Sequence, residues 1–127
     1  MKTPNVLMAT AEAAPFAVLG ELAQVMGSLP YYLRIQGCNA RVILPYYRSV
    51  TEAARITPLE LGELRFFLNG REERAIVRGT TWQGVMFYFI ERDDLYGRDG
   101  FYQYRTEDGT QQDYEDNLYR FAFFSRA

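Results

Sequence analysis

At 127 residues the chain has material for one ordinary domain and not for two. Apolar residues at 48% and charged residues at 24% sit near the globular average, which excludes an intrinsically disordered chain. A formal net charge of −2 lacks the broad positive field that nucleic acid or an anionic bilayer would require, so neither is expected as a partner.

Histidine is absent and Cys38 is the only cysteine, which excludes a histidine-based triad, a Cys/His zinc cage and an intramolecular disulfide. Acid–base chemistry would fall to carboxylates or tyrosines. A lone cysteine fits a reducing compartment and points to the cytoplasm. The first residues carry a single cation, Lys2, and their apolar stretch is broken by Glu12 and Pro15, unlike a signal peptide. No apolar run reaches the ~20 residues of a membrane span.

In chain order, the apolar run Asn5 to Ala9 reads as a first strand buried on both faces. After a loop from Thr10 to Leu19, the apolar positions Leu22, Val25, Met26, Leu29, Leu33 and Ile35 fall near helical spacing, with Gly37 as a stop. Pro30 inside this pattern predicts a kink or a break, with Ser28 as a local cap. Ala40 to Leu44 is a second β-branched strand ended by Pro45, and together the three elements form a βαβ unit with parallel strands.

The segments Leu59 to Leu68 and Glu72 to Arg78 flank Asn69-Gly70, a strong hairpin signal because both turn positions need positive φ. The turn Trp82-Gln83-Gly84 then leads into Val85 to Ile90, a continuous apolar run that reads as a return to a buried parallel strand. Glu91 to Gln112 reads as one long polar loop, and loops longer than ~12–15 residues inside a compact domain are usually functional or disordered. Asp113 is placed to cap a last helix with Glu115 and Asp116 in its first turn and Leu118, Phe121, Ala122 and Phe124 along it.

Two regions hold candidate chemistry. In an open parallel sheet, ligands bind beyond the carboxyl ends of the strands, which directs attention to the loop from Ala11 to Leu22. Taken alone it is a poor phosphate loop, with one glycine, no lysine and Glu21 at the helix start, where a carboxylate stabilises its own helix. The second region is the aromatic-rich stretch from Phe87 to Phe124. There Phe87, Phe89, Phe121 and Phe124 read as core, while Tyr96, Tyr102 and Tyr104 can either pack or stack on sugar faces. Arg98 and Arg105 are candidate polar clamps or solvated loop arginines. Asp93, Asp94, Asp99 and Asp108 have no spacing that marks a metal site, and Cys38 reads as a small packed residue.

The same residues carry a pattern. Ala11-Glu12-Ala13-Ala14-Pro15-Phe16, then Gly20, Leu22-Ala23, Val25, Gly27, Leu29-Pro30, Gly37, Arg41 to Pro45 and Tyr47-Arg48 resemble the start of bacterial glycogen synthases and plant starch synthases. Leu95 to Gly100, Tyr102, Asp116-Asn117 and Arg120 to Ala127 are similar to later blocks of that family, in the correct order. The resemblance implies an α/β, Rossmann-like parallel sheet with an inserted β-hairpin, with residues 1–127 forming one domain, the front part of the N-terminal domain of a two-Rossmann-domain (GT-B) glycosyltransferase. It implies glucose transfer from ADP-glucose, the donor substrate, to an α-1,4-glucan, with no metal and no other cofactor. The rest of the polypeptide, which in the family carries the catalytic residues, is the implied partner, so no catalytic residue is assigned here.

Residue by residue, the lysine of the family's Lys-x-Gly-Gly donor loop falls on Val18, its first glycine on Gly20, its second on Glu21, and a following aspartate on Gln24. Glu12, Tyr96, Arg98 and Tyr102 fall in the acceptor-binding region. The resemblance thus implies a damaged donor loop beside retained acceptor-side features. That pattern suits either the N-terminal part of a glucan synthase, inactive as this chain alone, or a non-catalytic glucan-binding or regulatory homologue.

Overall fold

A computed structural model describes residues 2–127. Its elements run β1 (Asn5–Ala9), α1 (Glu21–Ile35), β2 (Asn39–Pro45), α2 (Ser49–Glu52), β3 (Leu59–Leu68), β4 (Arg71–Trp82), β5 (Val85–Glu91), α3 (Asp93–Tyr96), β6 (Gln103–Arg105), β7 (Gln111–Asp113) and α4 (Asn117–Arg126). Five strands form one sheet in the order β1-β2-β5-β4-β3, and β6 and β7 form a separate hairpin.

The expected βαβ unit is present. β1 and β2 pair in parallel with Leu7 opposite Arg41, and β2 pairs in parallel with β5, with Val42 opposite Phe87. The other two strands are antiparallel: β4 pairs with β5, and β3 with β4. Their two turns are built alike, since Asn69 and Gly70 hold φ of 53° and 75° and Gln83 and Gly84 hold 50° and 77°, the positive values a two-residue hairpin turn requires. The mixed α/β sheet with an inserted hairpin is therefore as the sequence predicts.

The core draws on both faces of this sheet, and one of them packs against the loop after β1. Val42, Leu44, Phe87 and Phe89 are buried there with Phe16, Ala13 and Ala17 from the loop after β1, while Ile90, one position on from Phe89, turns to the opposite face with Ala75. Phe16 packs on Phe87 and Phe89 with ring centroids 4.8 and 5.1 Å apart. Among the described residues no helix is long and apolar enough to cross a membrane.

Several expectations need correction. β1 is not buried on both faces: it is an edge strand with one neighbour, and Leu7 is 62% exposed. α1 is not broken at Pro30. It runs unbroken, with Pro30 buried, and Ser28 Oγ does not cap but donates back to the Gln24 carbonyl at 2.8 Å. The helix stops at Gly37, φ +90°, where Gly37 N donates to Arg34 O and Cys38 N to Leu33 O, the paired bonds of a Schellman exit. The predicted inner positions also divide. Ala23 and Pro30 are buried and Met26 and Leu33 half-buried, whereas Leu22, Val25, Leu29 and Ile35 form an uncovered stripe, because the face set by Ala23, Met26, Pro30 and Leu33 is the one that meets the sheet.

The expected loop from Glu91 to Gln112 is not one loop, since α3, β6 and the start of β7 divide it. The last helix begins at Asn117 and not beside Asp113. Asp113 is engaged in β7, accepting from Gln103 Nε2 at 2.7 Å, and Asp116, at the N-cap, makes no cap bond because Arg98 holds its carboxylate.

Candidate functional site

The loop leaving β1 is held from within. Thr10 N donates to Ile43 O at 3.0 Å, and Thr10 Oγ1 donates to the Glu12 carbonyl at 2.8 Å, which turns the chain inward so that the Glu12 side chain is buried. Glu12 Oε1 accepts the backbone amides of Leu19 and Gly20 at 2.9 and 3.0 Å, and its Oε2 accepts the Tyr102 hydroxyl at 2.6 Å. A buried carboxylate needs such donors, since desolvation without them costs several kcal/mol by order of magnitude. The two ends of the loop after β1 and the remote Tyr102 therefore meet on one side chain.

The positions that the family resemblance assigns to a donor loop are all exposed. Val18 is 47% exposed, and Gly20, Glu21 and Gln24 are exposed as well. Gly20 is the N-cap of α1, with φ −144° and no atom within 4 Å of where a Cβ would stand. Its surroundings are open, and no side chain caps the helix there. Glu21 places a carboxylate beside the positive end of the helix, which stabilises α1 and disfavours a second anion at the same end.

Opposite lies the segment between α3 and α4. Arg98 forms a two-pronged ion pair with Asp116 at 2.7 and 2.6 Å, donates from Nε to Asp94 O at 2.8 Å, and lies over the Tyr114 ring, 5.0 Å from its centroid. That pair holds the Asp116 carboxyl below its ordinary range. Arg98 also lines a cleft of about 320 Å³ with Tyr47, Arg48, Gly100 and Phe101. A second groove, of about 500 Å³, runs between Leu19 and Tyr102, Gln103, Gln111 and Asp113 and shares Gly100 and Phe101 with the first. Tyr102 lines the second groove, its hydroxyl committed to Glu12 and its ring 5.6 Å from Phe121; burial, reinforced by the Glu12 carboxylate, pushes its pKa up.

Tyr96 is different. It has no exposed surface, its hydroxyl donates to the Arg120 carbonyl at 2.6 Å, and burial raises its pKa, so the alternative of an exposed stacking ring is overturned at this position. Glu12, Gly20 and Tyr102 are thus brought together directly, Arg98 is joined to them through the shared wall of the two clefts, and Tyr96 packs behind Tyr47, which lines the first cleft.

One residue that organises the site was absent from the candidates. Arg120 is fully buried, donating from Nε to Leu95 O at 2.6 Å and from Nη1 to Phe101 O at 2.7 Å and Asn117 Oδ1 at 2.8 Å, with its guanidinium over Tyr96, Tyr114 and Phe121. Burial lowers its pKa, with Arg98 adding to the effect. Its signal in the sequence is a cation set inside an apolar helix face, which periodicity alone treats as a surface position. Two atoms in this layer, Tyr47 Oη and Arg120 Nη2, are buried with no hydrogen-bond partner. Among the described residues, no group of three or more His, Cys, Asp or Glu is arranged to hold a metal.

Residues 5–127 match the family model described as the starch synthase catalytic domain. The chain belongs to that family. Similar relatives of the starch synthase family include a glycogen synthase of Syntrophotalea carbinolica, 45% identical over 127 residues, and a glycogen synthase of Desulforamulus reducens, 37% identical over 123 residues. These alignments cover 96% and 97% of this chain and 24% of each relative, so the chain spans about a quarter of their length. A solved catalytic domain of starch synthase IV from Arabidopsis thaliana, bound to ADP and acarbose, superposes with a TM-score of 0.74 at 24% identity over 99% of this chain and 24% of that one. This likeness shows the fold: a fragment of a starch synthase catalytic domain of the GT-B type.

Proposed function

We propose that the chain supplies the N-terminal, acceptor-side part of a glucan synthase that transfers glucose from ADP-glucose to an α-1,4-glucan. The observation that carries the reading is the Glu12 clamp, which joins the helix-start loop to Tyr102, just ahead of β6, beside an open groove. In this reading Arg98 and Tyr102 contact the glucan, Glu12 and Tyr96 hold the surface that does so, and Val18, Gly20, Glu21 and Gln24 occupy the donor side. The remaining polypeptide and the glucan are its partners, in the cytoplasm. Transfer needs donor and acceptor positioned together with water excluded, and an open groove on one domain provides neither. Incubation of the chain with radiolabelled ADP-glucose and glycogen is expected to give no labelled polymer; incorporation above the protein-free control would overturn this part.

A second reading is favoured by one observation. The exposed flank of α1 carries Val18 where a cation would meet phosphates and Glu21 where close backbone approach is needed, which suits a non-catalytic glucan-binding or regulatory homologue that no longer binds the donor. In a polypeptide extended by the rest of the family's catalytic region, the double change Val18→Lys and Glu21→Gly is expected to raise affinity for ADP-glucose under the first reading. No gain in calorimetric binding favours the second.

A further inference from the structure

A depression of about 520 Å³ lies away from the Glu12 clamp, between the second half of α1 and the turn that precedes β5. Because β5 is parallel to β1 and β2, that turn stands at the amino ends of the parallel strands, the opposite end from the groove beside Tyr102. Gly27, Ser28, Tyr31, Tyr32 and Gln83 line it, and none of them is charged. The rings of Tyr31 and Tyr32 meet nearly at right angles, 76° with centroids 5.3 Å apart, and are 39% and 61% exposed. Trp82, next to Gln83, is also partly exposed. Gln83 takes φ +50° at the first turn position, a conformation that glycine or asparagine would adopt with less strain. Residues kept in unfavourable backbone geometry often serve through their side chains.

We propose that this depression is a second, non-catalytic binding site for an α-glucan chain. The inference rests on the reading that the polymer handled by this family fragment is an α-glucan. The lining chooses the ligand class. With no cation it has no charge to balance a phosphate or nucleotide, whereas two angled phenol rings match the apolar C–H faces of successive sugar rings, and the Gln83 amide with the tyrosine and serine hydroxyls matches their hydroxyl rims. A polymer held at one end of the sheet keeps its free end near the groove at the other, which raises local acceptor concentration without a contact to the reacting atoms.

The test is a titration of the isotopically labelled 127-residue chain with maltoheptaose, followed residue by residue by NMR. Saturable shifts at Ser28, Tyr31, Tyr32 and the Gln83 side-chain amide are expected, weakened about tenfold or more by the double change Tyr31→Ser and Tyr32→Ser. Gln83→Gly is expected to weaken the same shifts while raising the melting temperature, which separates loss of binding from loss of fold. Shifts confined to Arg98 and Tyr102 would overturn this inference and leave the acceptor reading standing. Shifts confined to Tyr31, Tyr32 and Gln83 would uphold it and sink the acceptor reading. Absence of shifts, or shifts at Tyr31 and Tyr32 that follow protein concentration without sugar and so mark contact between copies, would also overturn it.

Discussion

Tyr102 donates its hydroxyl to Glu12 across a separation of 90 positions, at 2.6 Å, and the same carboxylate holds the amides of Leu19 and Gly20 through its other oxygen. The start of α1 and the β6–β7 hairpin are in this way mechanically one unit.

Removing the phenol tests that unit. Tyr102→Phe leaves Glu12 Oε2 buried without its donor, an effect of about 1–3 kcal/mol. A lower urea midpoint is expected, together with faster hydrogen exchange at the amides of Leu19 and Gly20, which the substitution does not touch. Unchanged exchange at those amides would show that the two loops are independent.

Arg120 is the second pillar. Arg120→Ala strips donors from the buried carbonyls of Leu95 and Phe101 and removes the plate on which three rings rest, so a loss above about 3 kcal/mol is expected. Near-ultraviolet circular dichroism should report collapse of the tyrosine environment. A variant with wild-type melting and spectrum would refute the assignment.

Acid should weaken the fold through Glu73. Its carboxyl lies below the ordinary value of 4.5, chiefly because the Tyr119 hydroxyl donates to it and then because the Arg92 guanidinium does, at 2.6 Å. A carboxyl depressed in the folded state binds protons more weakly than in the unfolded chain, so its stabilisation is complete above the unfolded value and is lost as pH falls through the folded one. Asp116, depressed by Arg98, acts in the same direction. Stability is therefore expected to decline from about pH 4.5 downward, and Glu73→Gln should flatten that decline. An equally steep decline in the variant would assign the effect elsewhere.

Two glycines should respond differently to alanine. At Gly27 a new Cβ would stand 2.6 Å from the Ala14 carbonyl oxygen, and the clash is expected to outweigh the roughly 1 kcal/mol gained in helix propensity. At Gly20, with negative φ and open space, Gly20→Ala should cost no more than about 1 kcal/mol, the preference for glycine over alanine at an N-cap. Equal melting temperatures for the two variants would contradict the packing between α1 and the loop after β1.

Much of the fold was legible because it rests on local signals. Asn69-Gly70 marked its own hairpin, Gly37 its helix exit, and the apolar run from Val85 its strand. Two of the misreadings share one cause, a partner that is remote in sequence. Asp116 does not cap α4 because Arg98, 18 positions away, takes its carboxylate, and the segment after β5 is divided by α3 and β6 because Arg120, from the following helix, binds Leu95 and Phe101. The site divided along the same line. Glu12, Arg98 and Tyr102 stood out through the family pattern, whereas the burial of Tyr96 depends on a helix whose inward cation periodicity cannot reveal.

The strand order has a kinetic side. β3, β4 and β5 follow one another through two-residue turns, while β2 must find β5 across a separation of 45 positions, as in the pairing of Arg41 with Met86. Nearby segments meet before distant ones because short loops lose less entropy on closing. In pulse-labelled refolding, amides of the antiparallel arm should gain protection first and those of β1 and β2 last. The half of the sheet that carries the Glu12 clamp would then be assembled on a template laid down by the half that does not.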